Sequence, residues 1–201
     1  YYCMEAIKGY RARDKDGQLF ASVKDTLIMY SITGRVYREL GMSDTALPIY
    51  LKYLEIGEKN NIEITNLMVH TGLVAACYIE TKQYAKATEY YLKALEFPEV
   101  NQSIITLKHE YMRRMAMIYL GMGKYSEAIE LLIKSYDFLS ANGFLMQSQS
   151  AASTLGEVFD RMNDKNNSVY YFNKSDELLE ELLKRNSIYR HDTLKYTISY
   201  G

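Results

Sequence analysis

Apolar residues recur every three or four positions along this chain, with polar residues between them, as in amphipathic helices. The segment Ala116–Leu132 (AMIYLGMGKYSEAIELL) is a clear example. The breaks between such segments are short, as at residues 40–44 and 120–124, and each contains glycine and at least one polar residue. Glycine commonly ends a helix because it tolerates the left-handed backbone that the helix end requires. The pattern therefore predicts an all-α chain of antiparallel helices joined by short turns, without β-strands.

A repeat of about 41 residues runs through this pattern. Aromatic residues recur at steps of 41, 41, 40 and 41, at Tyr37, Tyr78, Tyr119, Phe159 and Tyr200. Small residues stand three positions before the first four aromatics, at Gly34, Ala75, Ala116 and Gly156, and nine positions after them, at Ala46, Ala87, Ala128 and Ser168. Large residues follow four positions later, at Tyr50, Tyr91, Leu132 and Phe172. This register predicts pairs of helices that cross closely, with large side chains seated against small surfaces.

The register resembles the tetratricopeptide repeat, most clearly in Ala116–Leu132 and Ala75–Ala94 (AACYIETKQYAKATEYYLKA). The period is longer than the family norm of about 34 residues, and the tryptophan of the family signature is absent. Long-period arrays of this kind are similar to those of bacterial regulators that contain tetratricopeptide repeats. The resemblance implies a right-handed superhelical solenoid of antiparallel helical hairpins that binds a protein or peptide and is not an enzyme.

The register predicts a single solenoid over residues 1–201. Hairpins are expected at about residues 19–60, 62–98, 101–141 and 144–185, with partial repeats at residues 1–18 and 187–201. Ala6 and Tyr10 occupy register positions of an earlier repeat, and Tyr200 occupies one of a later repeat. We therefore expect the array to continue in both directions in the parent protein.

Composition excludes several classes of protein. A hydrophobic content of 48% argues against intrinsic disorder, and a net charge of -1 gives no general attraction to nucleic acid or to an anionic membrane. No apolar run is long enough to span a membrane. With Cys3 and Cys77 as the two cysteines, the chain has neither a disulfide framework nor a zinc-ligand cluster. These features do not fix the compartment; we expect the cytoplasm, or the periplasm if a membrane helix lies outside this segment.

Short motifs that carry chemistry in other proteins have structural explanations here. Gly121–Lys124 lacks the spacing of a phosphate-binding loop and is expected to be a hairpin turn. His109 and Glu110 begin like a zinc-protease motif, but position 113 holds arginine. His70 and His191 have no metal ligand at helical spacing. We therefore expect no catalytic residue, no metal site and no cofactor.

The candidate partner-binding surface is the concave face that the first helix of each hairpin lines in the family. The register assigns the following residues to it: Ile28, Ser31, Arg35, Arg38, Val69, Gly72, Ala76, Ile79, Glu110, Arg113, Met117, Leu120, Ser150, Ser153, Glu157 and Asp160. We select Arg35, Arg38, Val69, Ala76, Arg113, Met117, Glu157 and Asp160 as site residues. The face would be basic at one end, apolar in the middle and acidic at the other, which could orient an extended peptide or helix. The alternative is that these are ordinary solvated charges. Arg35 and Arg38 are expected to have no acidic neighbour of their own at a spacing of four residues, so that their charges are available to a partner.

Two functions remain open from the sequence. The first is a protein- or peptide-binding scaffold, as the sensory or regulatory segment of a larger bacterial signalling or transcription-regulatory protein. The second is a structural spacer or self-assembly module, with homo-oligomers as one form. The leucines of residues 176–185 (DELLEELLKR) would serve either a dimer or packing on a following helix.

Overall fold

The computed structural model describes the backbone of residues 22–199 and the side chains of residues 22–185. Within that range the chain forms eight α-helices and no strand, which confirms the predicted all-α class. The helices are α1 (Val23–Glu39), α2 (Ser43–Lys59), α3 (Ile64–Glu80), α4 (Tyr84–Leu95), α5 (Gln102–Gly121), α6 (Tyr125–Ala141), α7 (Leu145–Arg161) and α8 (Lys165–Ser199). The predicted partial repeat at residues 1–18, with Ala6 and Tyr10, lies outside the described residues, as does Tyr200.

Most helices that follow one another along the chain pack together. Helix α1 packs on α2, α2 on α3 and α3 on α4, and later α6 packs on α7 and α7 on α8. The chain divides into two compact units, residues 1–108 and residues 109–201. Helix α8 runs without a break to Ser199, through the position where the sequence predicted a new repeat at residue 187. That residues 1–201 form one continuous solenoid stays a prediction.

The small and large positions of the repeat meet as the register predicted. Ala46, Ala87 and Ala128 are completely buried. A Cβ atom added to Gly34 would lie 2.5 Å from Cε1 of Tyr50, so a side chain at this position would collide with the tyrosine ring. The helices approach closely here because position 34 carries no side chain.

The turns between helices are closed by single residues with a left-handed backbone. Gly41 and Gly123, in the two turns identified from the sequence, have φ of 74° and 73°. Gly143 adopts the same conformation, and Asn61, Lys82 and Asn163 serve at three further turns with φ between 49° and 60°, whereas the connection at residues 96–101 contains no such residue. Asparagine and glycine tolerate this region better than other residues, which explains their recurrence at the turns.

Side-chain caps lie at the starts of two helices, α1 and α5, whereas α2, α3 and α4 begin without one. Ser22 Oγ accepts a hydrogen bond from the backbone of Asp25 at 3.1 Å, and Asp25 Oδ2 accepts one from the backbone of Ser22 at 3.3 Å. Asn101 Oδ1 accepts from the backbone of Ile104 at 3.0 Å near the start of α5. Such caps satisfy backbone donors that have no partner inside the helix, and they fix where α1 and α5 begin.

Candidate partner-binding clefts

Two adjoining clefts lie between α1 and α3 in the first unit. The larger, here the apolar cleft, has a volume of about 700 Å³ and is lined by Val23, Lys24, Leu27, Ile28, Ser31, Ile32, Tyr53, Asn60, Ile62, Asn66 and His70. The smaller, here the charged cleft, has a volume of about 420 Å³ and is lined by Ser31, Arg35, Arg38, Glu39, Tyr50, Val69, His70, Leu73 and Glu80. Three of the predicted site residues, Arg35, Arg38 and Val69, therefore line one cleft.

Ser31 and His70 form a ridge shared by the two clefts. His70 is buried, and its ring stacks on Tyr53 with 3.4 Å between ring centroids. Its Nδ1 lies 2.8 Å from the carbonyl oxygen of Asn66, which can only accept, so Nδ1 carries the proton in the neutral ring. Nε2, 3.0 Å from Ser31 Oγ, then accepts a hydrogen bond from the serine. This arrangement fixes one tautomer and joins α1 to α3.

Both arginines of the charged cleft have acidic neighbours. The expectation that Arg35 lacks one four residues away was wrong, because Glu39 occupies that position, and Arg38 is paired with the distant Glu80. Arg38 Nε donates to Glu80 Oε1 at 2.9 Å, and Ser43 Oγ donates to the other oxygen of the same carboxylate. Burial opposes the charge of Arg38, but the hydrogen bond and charge of Glu80 outweigh it and raise the pKa of Arg38. Arg35 Nε lies 3.9 Å from Glu39 Oε1, one helical turn away. The long contact and high exposure make this second pair weak.

Tyr50 forms the floor of the charged cleft, and its hydroxyl group is neutral. Its side chain is completely buried beneath α1, where Gly34 leaves room for the ring. Burial raises the pKa of Tyr50 to about 12, although the positive charges of Arg38 and Arg35 oppose the rise. The tyrosine therefore adds no negative charge to the cleft at neutral pH, and Arg35 remains its most exposed cation.

The apolar cleft carries large side chains that face solvent. Val23, Ile28 and Ile32 on α1 are between 41% and 46% exposed, which is high for residues of their size. Lys24 stands at the rim on the same helix, and it forms no salt bridge with any residue between 22 and 185. An apolar surface edged by a cation is the type of surface that binds a partner side chain.

In the second unit, Arg113 and Met117 lie on one face of α5. Arg113 Nη2 and Arg114 Nε both contact Glu110 Oε1, at 2.9 Å and 2.8 Å. Burial acts to raise the pKa of Glu110, but the two arginines outweigh it and lower that pKa. Met117 is 47% exposed, and its sulfur lies 3.4 Å from Arg113 Nη1. The charge of Arg113 is thus largely satisfied within its own helix.

The acidic candidates on α7 are paired as well. Glu157 accepts from Arg161 at 2.8 Å, and Asp160 accepts from Lys165 at 2.6 Å. Ala76, selected as a site residue, is 7% exposed and lines neither α1–α3 cleft. Leu120, which the register assigned to the concave face, is 4% exposed and belongs to the core of the second unit. The repeat spacing predicts where a helix lies along the chain. It predicts less accurately which side of that helix a given residue faces, and these two residues face neighbouring helices.

The described residues contain no group of three or more histidine, cysteine, aspartate or glutamate side chains that could hold a metal ion. Within the same residues, no helix has both the length and the apolar character that crossing a membrane requires.

Acid should destabilise the first unit through His70. Burial lowers the pKa of His70 below its ordinary value of 6.5, so the unfolded chain binds a proton more readily than the folded one. The contribution of His70 to stability is complete above pH 6.5 and is lost as the pH falls from there through the folded pKa. We expect urea midpoints measured between pH 8 and pH 5 to fall more steeply for the wild type than for His70→Asn. Parallel curves for the two proteins would contradict the assignment.

A sequence model of the tetratricopeptide repeat matches residues 73–101 and 110–138. No curated protein sequence matches the chain. BtubC (BKLC) from P. vanneervenii has a similar structure, with a TM-score of 0.73 at 15% identity over 90% of this chain and 71% of that one.

Two further solved structures are similar. The tetratricopeptide-like repeats of a putative kinesin light chain from Podosopora anserina give a TM-score of 0.67 at 12% identity over 90% of this chain and 85% of that one. Aspartyl phosphate phosphatase F from Bacillus subtilis gives 0.53 at 14% identity over 88% of this chain and 53% of that one. At these identities the likeness concerns the fold.

Proposed function

The chain is a tetratricopeptide-repeat protein, and on that premise we propose that it acts as a protein- or peptide-binding scaffold through the two clefts between α1 and α3. The observation that carries this proposal is the pair of adjoining clefts, one apolar and one charged, with Arg35, Arg38 and Val69 in the second. A cleft of several hundred cubic ångströms with an apolar lining and a few polar groups is typical of a ligand site. Arg113, Met117, Glu157 and Asp160 belong to the proposed binding surface of the second unit.

The scaffold is further proposed to be the sensory or regulatory segment of a larger bacterial signalling or transcription-regulatory protein. The long repeat period supports this role, because the sequence resembles arrays found in such regulators. The similarity in fold to a bacterial aspartyl phosphate phosphatase is compatible with it. Tetratricopeptide repeats generally serve as non-enzymatic scaffolds, and we propose that this chain has no catalytic activity of its own and uses no cofactor.

Selection from a random peptide library displayed on phage tests the scaffold function with the whole chain as bait. We expect enrichment of peptides whose binding shifts the backbone amide NMR signals of α1 and α3. A variant with Lys82→Glu and Lys134→Glu controls for general charge, because both lysines are exposed and lie outside the clefts. This variant should retain the selected peptides. Failure to enrich any peptide would contradict the scaffold function.

Self-assembly is a second candidate function, and α8 supplies the observation in its favour. Phe172 and Leu179 on α8 are 39% and 43% exposed, whereas Leu132 and Leu139, at the same repeat positions on α6, are 0% and 2% exposed. Leu132 is covered by Leu155 and other residues of α7. The corresponding face of α8 has no such cover among the described residues. Light scattering would detect this function as a molar mass that rises with protein concentration, and a constant monomer mass would rule it out.

A further inference from the structure

We propose that the exposed face of α8 binds an amphipathic helix of another protein, in which one lysine or arginine stands between apolar residues. This face, here the α8 stripe, consists of Val169, Phe172, Asp176, Leu179 and Leu183. The inference goes beyond the proposed function, because no residue of the α8 stripe lines either of the clefts between α1 and α3.

The α8 stripe is a continuous apolar surface with one charge at its centre. Its five residues are separated by three, four, three and four positions, which places their side chains on one side of the helix. The four apolar members are between 39% and 60% exposed, and Asp176 is exposed as well. From Val169 to Leu183 the helix rises by roughly 21 Å at about 1.5 Å per residue. A partner helix of about four turns is therefore long enough to cover the stripe.

A helix covers the corresponding face in the preceding hairpin. Leu132 on α6 stands forty residues before Phe172 and belongs to one core cluster with Leu155 and Val158 of α7. Helix α7 packs along α6, and its two residues in this cluster are three positions apart. Positions three and four apart form one face of a helix. The repeat register therefore indicates that the α8 stripe fits a helix with apolar residues at this spacing.

Asp176 determines the charge that the partner helix carries. The residue at the same repeat position on α6 is Tyr136, which packs partly buried against the core. A helix that covered the α8 stripe with apolar residues alone would bury the carboxylate of Asp176 without a counter-charge. Burial of a charge is costly unless an opposite charge accompanies it. A lysine or arginine opposite Asp176 supplies that charge.

The described part of the chain supplies no cation to Asp176. Among residues 22–185, the Asp176 side chain forms neither a salt bridge nor a hydrogen bond, whereas its neighbours on α8 are paired. Glu177 lies 2.7 Å from Nζ of Lys174, and Glu181 lies 2.6 Å from Nη2 of Arg185. The carboxylate in the middle of the apolar stripe is therefore the one left for a partner.

A second copy of the chain matches the α8 stripe less well than a basic helix does. Two copies related by a two-fold axis would use the same surface on both sides. The apolar residues of the stripe lie at nearly equal distances before and after Asp176, so a pairing that matches them brings the two Asp176 carboxylates together. Like charges at close range repel each other. Charge complementarity thus favours a partner that carries a cation at this position.

Fluorescence anisotropy with labelled helical peptides and the whole chain tests the inference. The probe is a blocked, alanine-based peptide with leucine at its third, sixth, thirteenth and seventeenth positions and lysine at its tenth, so that its stripe matches that of α8. The control peptide has glutamate at the tenth position and is otherwise identical. We expect the control to bind at least tenfold more weakly, because its glutamate would face Asp176. Amide NMR shifts should place the bound probe on α8.

Reversal of the central charge on the protein gives the decisive arm. The variant Asp176→Lys should bind the glutamate peptide at least tenfold more tightly than the lysine peptide, which inverts the preference of the wild type. Glu181→Lys is the matched control, because it changes the net charge equally at an exposed position on another side of α8. This variant should keep the wild-type preference. Leu179→Ala should weaken binding of the lysine peptide at least tenfold.

Several results would overturn the inference. They are no binding of the lysine peptide, equal binding of the two peptides by the wild type, and amide shifts outside α7 and α8. Sedimentation that shows a dimer dissociated by Leu179→Ala would assign the stripe to a second copy and would also overturn it. Peptides selected by display that shift α1 and α3 should bind Asp176→Lys as tightly as the wild type. Their absence would count against the clefts and leave the result on α8 unaffected.

Discussion

Replacement of Leu139 by alanine is expected to lower the free energy of unfolding by about 2–5 kcal/mol. Leu139 is 2% exposed on α6, so the shorter side chain loses buried apolar contacts and leaves a cavity. The matched control is Leu179, at the same repeat position 40 residues later on α8, which is 43% exposed. Leu179→Ala should change the free energy of unfolding by no more than about 1 kcal/mol, because surface changes are usually small.

Chemical denaturation of both variants, followed by circular dichroism at 222 nm, measures the difference directly. A single wild-type transition would allow the two free energies to be compared, and separate transitions of the two units would be fitted individually. If Leu179→Ala were as destabilising as Leu139→Ala, the exposed face of α8 would be covered in solution. That result would favour self-assembly.

Replacement of Gly34 by alanine is also expected to have a large effect on stability. Alanine in a helix interior ordinarily stabilises by up to about 1 kcal/mol relative to glycine. At Gly34, however, the new Cβ would lie 2.5 Å from the ring of Tyr50, which is completely buried. Overpacking of this kind costs about 1–3 kcal/mol, so we expect a net loss of stability of up to about 2 kcal/mol.

Gly156 provides the matched control for Gly34. A Cβ at Gly156 would lie 2.7 Å from Cδ1 of Phe172, but that ring is 39% exposed and can turn towards solvent. We therefore expect Gly156→Ala to leave the thermal midpoint unchanged or to raise it, while Gly34→Ala lowers it. Similar midpoints for the two variants would show that Tyr50 moves as easily as Phe172.

The repeat register accounts for most of what the sequence predicted correctly. A large residue at Tyr50 or Leu132 needs a small residue on the crossing helix, and that requirement appears in the sequence as a fixed spacing. The turns at Gly41 and Gly123 could be predicted from the sequence equally well, because their left-handed backbone favours glycine. These features depend on backbone geometry, which repeats from one hairpin to the next.

Side-chain partners were harder to predict, because they depend on residues that do not repeat. Ser31 and His70 are 39 residues apart, and Arg38 and Glu80 are 42 apart. Both separations are close to the repeat period, so a search for complementary residues at that spacing would have found them. The contact between Arg35 and Glu39 was easier to predict, because Glu39 lies four residues after Arg35 on the same helix.

The apolar cleft was missed for a different reason. Several residues that line it come from the end of α2 and the start of α3, including Asn60, Ile62 and Asn66. Their proximity to α1 depends on where each helix ends, and helix boundaries are the least certain part of a sequence-based prediction. Ile28 was assigned to the binding face, but Lys24 and Ile32 were not.

Packing between consecutive helices also affects how the chain can fold during its synthesis. The hydrogen bonds that join neighbouring hairpins of the first unit link residues 35 to 42 positions apart. A ribosome therefore needs to release only about one further repeat before an emerging hairpin meets its stabilising neighbour. Chains with such local contacts fold quickly, and repeat arrays can begin to fold at any point. Synthesis from the amino terminus would thus allow the hairpins of the first unit to be buried in turn.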